Sequence, residues 1–436
     1  MPYEGHKWHF GVLSFTGTGH LNPLIALSQQ LRCRGHKVTF FEKRKIEARV
    51  RHAGLEFVPI GAAKSSPRVK ITQLHDPTLW QELSALRSNV KRIIGDLEMF
   101  LQETPLALAR AGVNALIVNE IALTGPTIAE ICGLPYFIIS TSVPHSFGWG
   151  GHPWRLEWPS HWIRRVHGAW LEISALRMRG PIQSALDRYR QSAGLGPVRK
   201  MRRAFPELAQ ITQLPQCLDL PRAALPETFH YTGPFVKRAA RPKVEFPWNR
   251  IDGRPIIYAS LGTTRNVRPA VFRLIAEACQ DFDLQLVISL GNRACPTMFA
   301  DLPGKPLVVR YAPQLELLRL ARIVITHGGS NTVFEALLEG KSMLVIPIAH
   351  DQPALAARLA RLKIAEVVPV GAVTTKRLRR ELIKLLHSTS YQDAAREAQA
   401  KICSLNGLER AVEIIEEALD SEPVADQRNA ACRCLT

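Results

Sequence analysis

The sequence predicts an α/β protein of two doubly wound, parallel-sheet domains facing one another across a central cleft. Three observations carry that expectation. Short apolar, β-branched runs alternate with amphipathic stretches, and nearly continuous apolar strands between helices read as parallel sheet covered on both faces. The alternation falls into two series, divided by the basic, proline-bearing and aperiodic stretch "FVKRAARPKVEFPWNRIDGRP". At 436 residues the chain exceeds what one ordinary core organises.

In the first series the strands are "HFGVLSF" (9–15), "KVTFF" (37–41), "LEFVPI" (55–60), "ALIVN" (115–119) and "PYFIIS" (135–140). Helical patterns fall at 21–34, near 78–110 and at 123–132. The second series has "PIIYASL" (255–261), "LQLVIS" (284–289), "PLVVRY" (306–311), "RIVITH" (322–327), "SMLVIP" (342–347) and "AEVVPV" (365–370), each alternating with a helix. The organisation expected is a first domain over 1–235, a linker over 236–254, a second domain over 255–420 and a flexible tail over 421–436. Residues 141–205 break the alternation, with helices expected at 161–178 and 181–193, and carry five of the eight tryptophans. They read either as the local core of an inserted helical pair, or as an aromatic wall for a bulky apolar ligand or a membrane-touching surface.

Hydrophobic residues at 46% and charged residues at 22% are ordinary for a soluble globular protein. No apolar run approaches the roughly 20 residues that span a bilayer, and the N-terminus lacks a signal-peptide pattern, so a cytoplasmic protein is expected. Eight scattered cysteines without paired CxxC spacing read as reduced thiols, and the tail "CRCLT" is not a prenylation box. The net charge of +18 suits a polyanion, an anionic membrane surface or a basic host proteome. Its basic residues are dispersed and no nucleic-acid-binding signature occurs. The expectation is no nucleic acid, with peripheral contact at the inner membrane face left open.

The most specific stretch is 311–353. A buried strand runs into His327-Gly328-Gly329-Ser330-Asn331-Thr332, where a helix begins. Glycines let a ligand approach the backbone, Ser330 or Asn331 can cap, and first-turn N–H groups suit a diphosphate. The Walker lysine is missing, which argues against a P-loop NTPase. Gln314 lies upstream, and Glu335, Asp351 and Gln352 lie downstream.

This stretch resembles the donor signature of UDP-dependent glycosyltransferases of the GT-B fold, with two Rossmann-like domains. Matches fall at Pro313-Gln314, Leu318, Thr326 to Gly329, Asn331-Thr332, Glu335, Gly340, Pro347 and Asp351-Gln352. With "GHLNP" in the first half and "FHYTGPF" (229–235), the likeness spans essentially the whole chain. The forms "SNT" and "DQPALAARL" are similar to bacterial members, and residues 214–235 to the zeaxanthin glucosyltransferase type. The resemblance implies that Tyr311, where plant members have tryptophan, stacks on uracil, and that the Ala312–Gln314 backbone reads the uracil edge. It implies Glu335 for the ribose, His327 and the amides of Gly329, Ser330, Asn331 and Thr332 for the pyrophosphate, and Asp351 with Gln352 for the sugar. The turn at Ser260, Gly262 and Thr263 would be a second phosphate contact. Phe147, Trp149 and Trp154 are expected to line the acceptor site. A UDP-sugar is the expected co-substrate, with no cofactor and no metal; Asp281-Phe282-Asp283 reads as solvated.

The opening loop, Gly17-Thr18-Gly19-His20-Leu21-Asn22, nearly matches a dinucleotide fingerprint, with Glu42 at a ribose-binding distance. Asn22 stands where a small residue belongs, which argues against an oxidoreductase. With the donor in the second domain, His20 is free to act as base, since an imidazole of pKa near 6.5 is mostly neutral at pH 7. The resemblance assigns His20 that role, with Asn22-Pro23 beginning the following helix. It gives an inverting, single in-line displacement, aided by a helix N-terminus that stabilises the leaving diphosphate. The family usually orients its histidine with an aspartate, but Asn119 stands there; within the strand Glu120, next to it, faces the other side, so it substitutes only if the strand has already ended. In a triad hydrolase the same loss of charge costs about 10⁴ in turnover. The reading is therefore a glucosyltransferase for a bulky apolar acceptor such as a carotenoid, macrolide or polyphenol. The alternative is a nucleotide-sugar-binding protein with weak or no transferase activity.

Overall fold

A computed structural model of the chain describes residues 6–61, 79–144, 180–198, 208–222, 225–238, 241, 243–262, 269–291, 294–349 and 351–421. The first sheet contains β1 (His9–Leu13), β2 (Lys37–Glu42), β3 (Glu56–Pro59), β4 (Ala115–Asn119), β5 (Tyr136–Ser140), β6 (Ala209–Thr212) and β7 (Phe229–Tyr231). Its order is β3-β2-β1-β4-β5-β6-β7, with every pairing parallel. The second sheet contains β8 (Ile256–Ser260), β9 (Gln285–Ser289), β10 (Leu307–Val309), β11 (Ala321–Thr326), β12 (Met343–Val345) and β13 (Ala365–Val367). Its order is β10-β9-β8-β11-β12-β13, again parallel throughout.

An all-parallel sheet must be covered on both faces, which is why β1, β4, β8 and β9 are buried at every residue. Each fully buried Val, Leu, Ile or Phe in them contributes roughly 1.5–3 kcal/mol. The eleven strands read from apolar runs are all present, with ends shifted by at most three residues. β6 and β7 were not anticipated. β6, "AQIT", buries Gln210 and Thr212, and the Gln210 Nε2 donates to Ser140 Oγ at 2.8 Å. Polar residues buried inside a strand defeat a reading based on apolar runs.

The helices of the first half are α1 (Thr18–Cys33), α2 (Glu47–His52), α3 (Leu79–Ala111), α4 (Gly125–Cys132) and α5 (180–192). Those of the second half are α6 (Pro269–Cys279), α7 (Gln314–Leu320), α8 (Ser330–Leu338), α9 (Gln352–Arg361), α10 (Thr375–His387), α11 (Thr389–Cys403) and α12 (Gly407–Ser421). α1 begins at Thr18, before the expected Asn22-Pro23, so Pro23 lies inside the helix and His20 in its first turn. The expected helix at 161–178 lies outside the described residues.

The last helix returns to the first domain. Leu408, Val412, Ile415 and Leu419 of α12 share one core with Phe10, Leu24 and Ile25. Buried Glu416 accepts from Arg34 Nε and pairs with His36 Nε2, each at 3.1 Å. Residues 255–420, read as one unit, thus divide: 407–420 pack with the first sheet. Between β7 and β8 the described residues carry no strand, and Trp248–Arg250 form a 3₁₀ turn.

Strand order reverses between β1 and β4 in the first sheet and between β8 and β11 in the second. Ligands of such sheets bind beyond the carboxyl ends at these switch points. α1 and Asn119 flank the first; Ser260 and His327 flank the second.

Candidate active site

His20 occupies the third position of α1, whose N-cap, Gly17, offers no side-chain cap. Its Nδ1 lies 2.6 Å from the hydroxyl of Thr141, just past the end of β5. Asn119, the last residue of β4, does not hold the imidazole directly as expected. Its Nδ2 donates to Thr141 Oγ1 at 3.1 Å, while its Oδ1 accepts from the Ile121 N–H at 3.3 Å. The second bond fixes the amide's orientation, so Asn119 can only donate to Thr141. Phe15, 45% exposed, meets the His20 ring edge-on at 5.6 Å between centroids. Asn22, the misfit in the glycine loop, is buried and accepts from Arg49 of α2, which also reaches Thr18 Oγ1 at 3.4 Å.

On the second domain, Thr326 ends β11 and His327 enters the cleft. Its imidazole fits between two glycines. A Cβ at Gly262 would lie 2.6 Å from His327 Nε2, and one at Gly329 would lie 2.5 Å from it. Burial pushes the His327 pKa down to about 4, against the opposing pull of Asp351 and the Ser260 backbone, so the ring is neutral at pH 7. Gly328 adopts φ +82°, a left-handed turn that favours glycine. The N-cap of α8 is Gly329 and makes no side-chain cap, so neither Ser330 nor Asn331 caps as expected. Both sit in the first turn, whose backbone N–H groups have no acceptor within the helix. The Ser330 hydroxyl donates instead to Asp351 Oδ2 at 2.9 Å. Gln352 Oε1 accepts from the Ile348 and Ala349 N–H groups, each at 2.9 Å, which leaves its Nε2 for a ligand.

Glu335 lies on α8, buried at 1% exposure. Burial raises its pKa against the opposing influence of Arg241 and Gln314. Arg241, from the linker, bonds one carboxylate oxygen, and Gln314 Nε2 donates to the other at 2.6 Å. The Tyr258 hydroxyl donates to Gln314 Oε1 at 3.2 Å and so locks that carboxamide. Ala312 is buried and Tyr311 partly exposed at the end of the stretch after β10.

The two halves touch through side chains. Asn331 Nδ2 donates to the Gly19 carbonyl at 3.0 Å, and Asn331 Oδ1 accepts from Gln213 Nε2 at 3.2 Å. Gly19 would ordinarily accept from the N–H four residues on, but residue 23 is proline and has none. Asp219, from the loop after β6, accepts from Arg358 of α9 at 3.0 Å, both nearly fully buried. α9, which opens at Gln352, is thereby tied to the first domain.

His20, Asn119, Ser260, Gly262, His327 and Gly329 to Thr332 stand at the two switch points, Gln314 is bonded to Glu335 and Asp351 to Ser330, Gln352 opens α9, and Tyr311 and Ala312 follow the edge strand β10. Thr263, Phe147, Trp149 and Trp154 lie outside the described residues. Asp281 pairs with exposed Arg379 at 2.6 Å, away from this site. Thr141, Gln213 and Arg241 were not singled out from the sequence. Position just past a strand end was the available signal for the first two, though β6 itself had gone unseen.

The UDP-glucoronosyl and UDP-glucosyl transferase family model matches residues 205–416, and the glycosyltransferase family 28 N-terminal domain model matches residues 12–145. The zeaxanthin glucosyltransferase of Pseudescherichia vulneris is 30% identical over 418 residues, covering 94% of this chain and 98% of that protein. The zeaxanthin glucosyltransferase of Pantoea ananas is 28% identical over 430 residues, covering 94% and 96%. Among solved structures, the glycotransferase of kitacinnamycin superposes with a TM-score of 0.75 at 21% identity, over 96% of this chain and 100% of that one.

Proposed function

The chain belongs to the UDP-dependent glycosyltransferases of the GT-B fold, and from that premise we propose that it moves glucose from UDP-glucose, with inversion, to a hydroxyl of a bulky apolar natural product of the carotenoid kind. The observation that carries this reading is the bond between Asn331 and Gly19, which sets the first turn of α8 opposite the turn bearing His20. With Nδ1 engaged by Thr141, Nε2 of His20 is the ring atom that takes the acceptor's proton. The acceptor oxygen forms its bond to the anomeric carbon as the bond to the diphosphate breaks. UDP leaves with that electron pair, and the product is a β-glycoside from an α-linked donor.

Developing charge on the diphosphate meets the first-turn amides of α8 and the neutral imidazole of His327, which donates a hydrogen bond without reorganising. This supports a reaction that needs no metal. Two features support a large apolar acceptor: exposed Phe15 beside the base, and the zeaxanthin for which the two related glucosyltransferases are named. Among the described residues no helix is long and apolar enough to cross a membrane. A charge of +18 supports peripheral contact with an anionic leaflet, where such acceptors partition.

The test is UDP release with mass detection of the glycoside, using UDP-glucose and zeaxanthin in detergent micelles, with and without EDTA. The reading expects a β-glucoside, turnover insensitive to EDTA, and no turnover for His20→Ala with UDP affinity retained. UDP binding without turnover on any apolar alcohol would favour the second reading, a nucleotide-sugar binder, which rests on the uncharged Asn119.

A further inference from the structure

Gln213 follows β6 directly and is buried at 1% exposure. Its carboxamide is used in three directions. Nε2 donates to the Thr141 carbonyl at 2.5 Å and to Asn331 Oδ1 at 3.2 Å, and Oε1 accepts from the N–H of Phe235 at 3.2 Å. Thr141 holds His20 Nδ1 through its hydroxyl, and Asn331 holds the carbonyl of Gly19, the residue before His20. The bonds close a ring: His20, Thr141, Gln213, Asn331, Gly19 and back to His20 through one peptide. That ring includes the second residue of α8, whose first turn faces the donor.

We infer that Gln213 is a positioning residue for the transfer reaction: it joins the N-terminus of α8 to the loop that orients His20, so that the placement of the donor helix and the placement of the base are one adjustment. The inference rests on the reading of His20 as base. Its physical ground is the dual donation of one amide group. If α8 moves relative to the first sheet, Asn331 Oδ1 moves with it, and Gln213 can follow only by shifting the Thr141 carbonyl. Thr141 cannot shift without moving the hydroxyl on Nδ1. The Phe235 bond anchors the same carboxamide where the linker begins, so motion about the linker passes through this residue as well. A neutral amide suits the position: it gives two donors and one acceptor, all of which are used, and it places no charge beside the developing imidazolium.

The experiment uses the full chain with Gln213→Met, which keeps the volume and loses all three bonds, and Gln213→Glu, which keeps the shape and loses both donors. UDP affinity is read by calorimetry. Turnover is read as UDP release from UDP-glucose, with zeaxanthin in micelles and with water alone as acceptor. A base displaced by a fraction of an ångström lowers kcat by about tenfold or more. The expected result is that loss with UDP affinity within about threefold of wild type, a displaced midpoint in the pH profile of kcat, and a Gln213→Met, Thr141→Val double variant no slower than the worse single one. Unchanged kcat in either folded variant overturns the inference. So does an equal loss in kcat and UDP affinity, or fully multiplicative losses in the double variant. His20→Ala separates the two layers. If it keeps its turnover, the base assignment fails; if it is inactive while the Gln213 variants run at wild-type kcat, only the coupling fails.

Discussion

The hydroxyl of Thr141 stands 2.6 Å from Nδ1 of His20, and Asn119 reaches the imidazole only through that hydroxyl. Asn119 donates to one lone pair of the Thr141 oxygen, which leaves the other to accept Nδ1–H and keep Nε2 unprotonated, but no charge behind the hydroxyl favours that arrangement. An aspartate at 119 would accept the threonine proton, turning the hydroxyl's lone pair to Nδ1–H and placing a charge behind it. Asn119→Asp is therefore expected to raise kcat/KM by about tenfold and to move the acid limb of the pH profile upward, because the carboxylate favours the imidazolium. Adding Thr141→Val should cancel the gain. A gain that survives without the Thr141 hydroxyl would mean that the carboxylate acts on His20 directly.

Gly262 and Gly329 are fixed by the ring of His327 between them. Gly262 also has φ +86°, so Gly262→Ala meets both a strained backbone and a contact of 2.6 Å with Nε2. The substitution is expected to cost roughly 1–3 kcal/mol of stability and about tenfold in UDP affinity as the imidazole is pushed off the cleft. Thermal melts and UDP calorimetry on the same preparation check it. Wild-type affinity in a destabilised Gly262→Ala would show that the His327 ring is not what holds the diphosphate.

His327 also makes stability depend on pH. Its pKa falls from an ordinary 6.5 to about 4 in the native protein, because burial disfavours the charged ring. Above pH 6.5 both native and unfolded chains hold it neutral, and its contribution is fully present. As pH falls toward 4 the unfolded chain takes up the proton first, and up to about 3 kcal/mol is lost over that window. Burial also lowers the pKa of His9, His36 and His230, which act in the same direction, so the diagnostic quantity is a difference. The urea midpoint of His327→Gln should fall less steeply between pH 6.5 and 4 than that of wild type; parallel slopes would remove the ring from the account.

Strands that are nearly continuous apolar runs declared themselves, because a doubly covered sheet asks for little else. The short strand "AQIT" did not, since two of its four residues, Gln210 and Thr212, are polar side chains buried inside the sheet. The "HGGSNT" turn was legible because its glycines have local reasons, a left-handed backbone at Gly328 and the neighbouring His327 ring at Gly329. Thr141 and Gln213 were not: a threonine and a glutamine past strand ends are ordinary until the topology sets β5 and β6 beside the switch point. Arg241 was visible only as one cation in a basic linker, and nothing local tells that its guanidinium folds back onto Glu335. Side chains that act across long sequence separations, 94 residues for Arg241 and Glu335, leave no period to read.

Pro23 offers the sharpest separation of stability from activity. Inside α1 it removes the N–H that would bond the Gly19 carbonyl, and that carbonyl accepts from Asn331 across the cleft. A proline within a helix costs about 3 kcal/mol relative to alanine. Pro23→Ala regains most of this, less what is lost in packing at a buried site. It also supplies an N–H that draws the Gly19 carbonyl toward the helix axis and away from Asn331. The expected variant therefore melts at the same temperature or higher while kcat falls several-fold, because α8 and the His20 turn lose the bond that sets their separation. Differential scanning calorimetry and UDP release on one sample read both quantities. A more stable protein with undiminished kcat would show that the carbonyl of Gly19 can serve its helix and Asn331 together, and that the proline is there for the helix start alone.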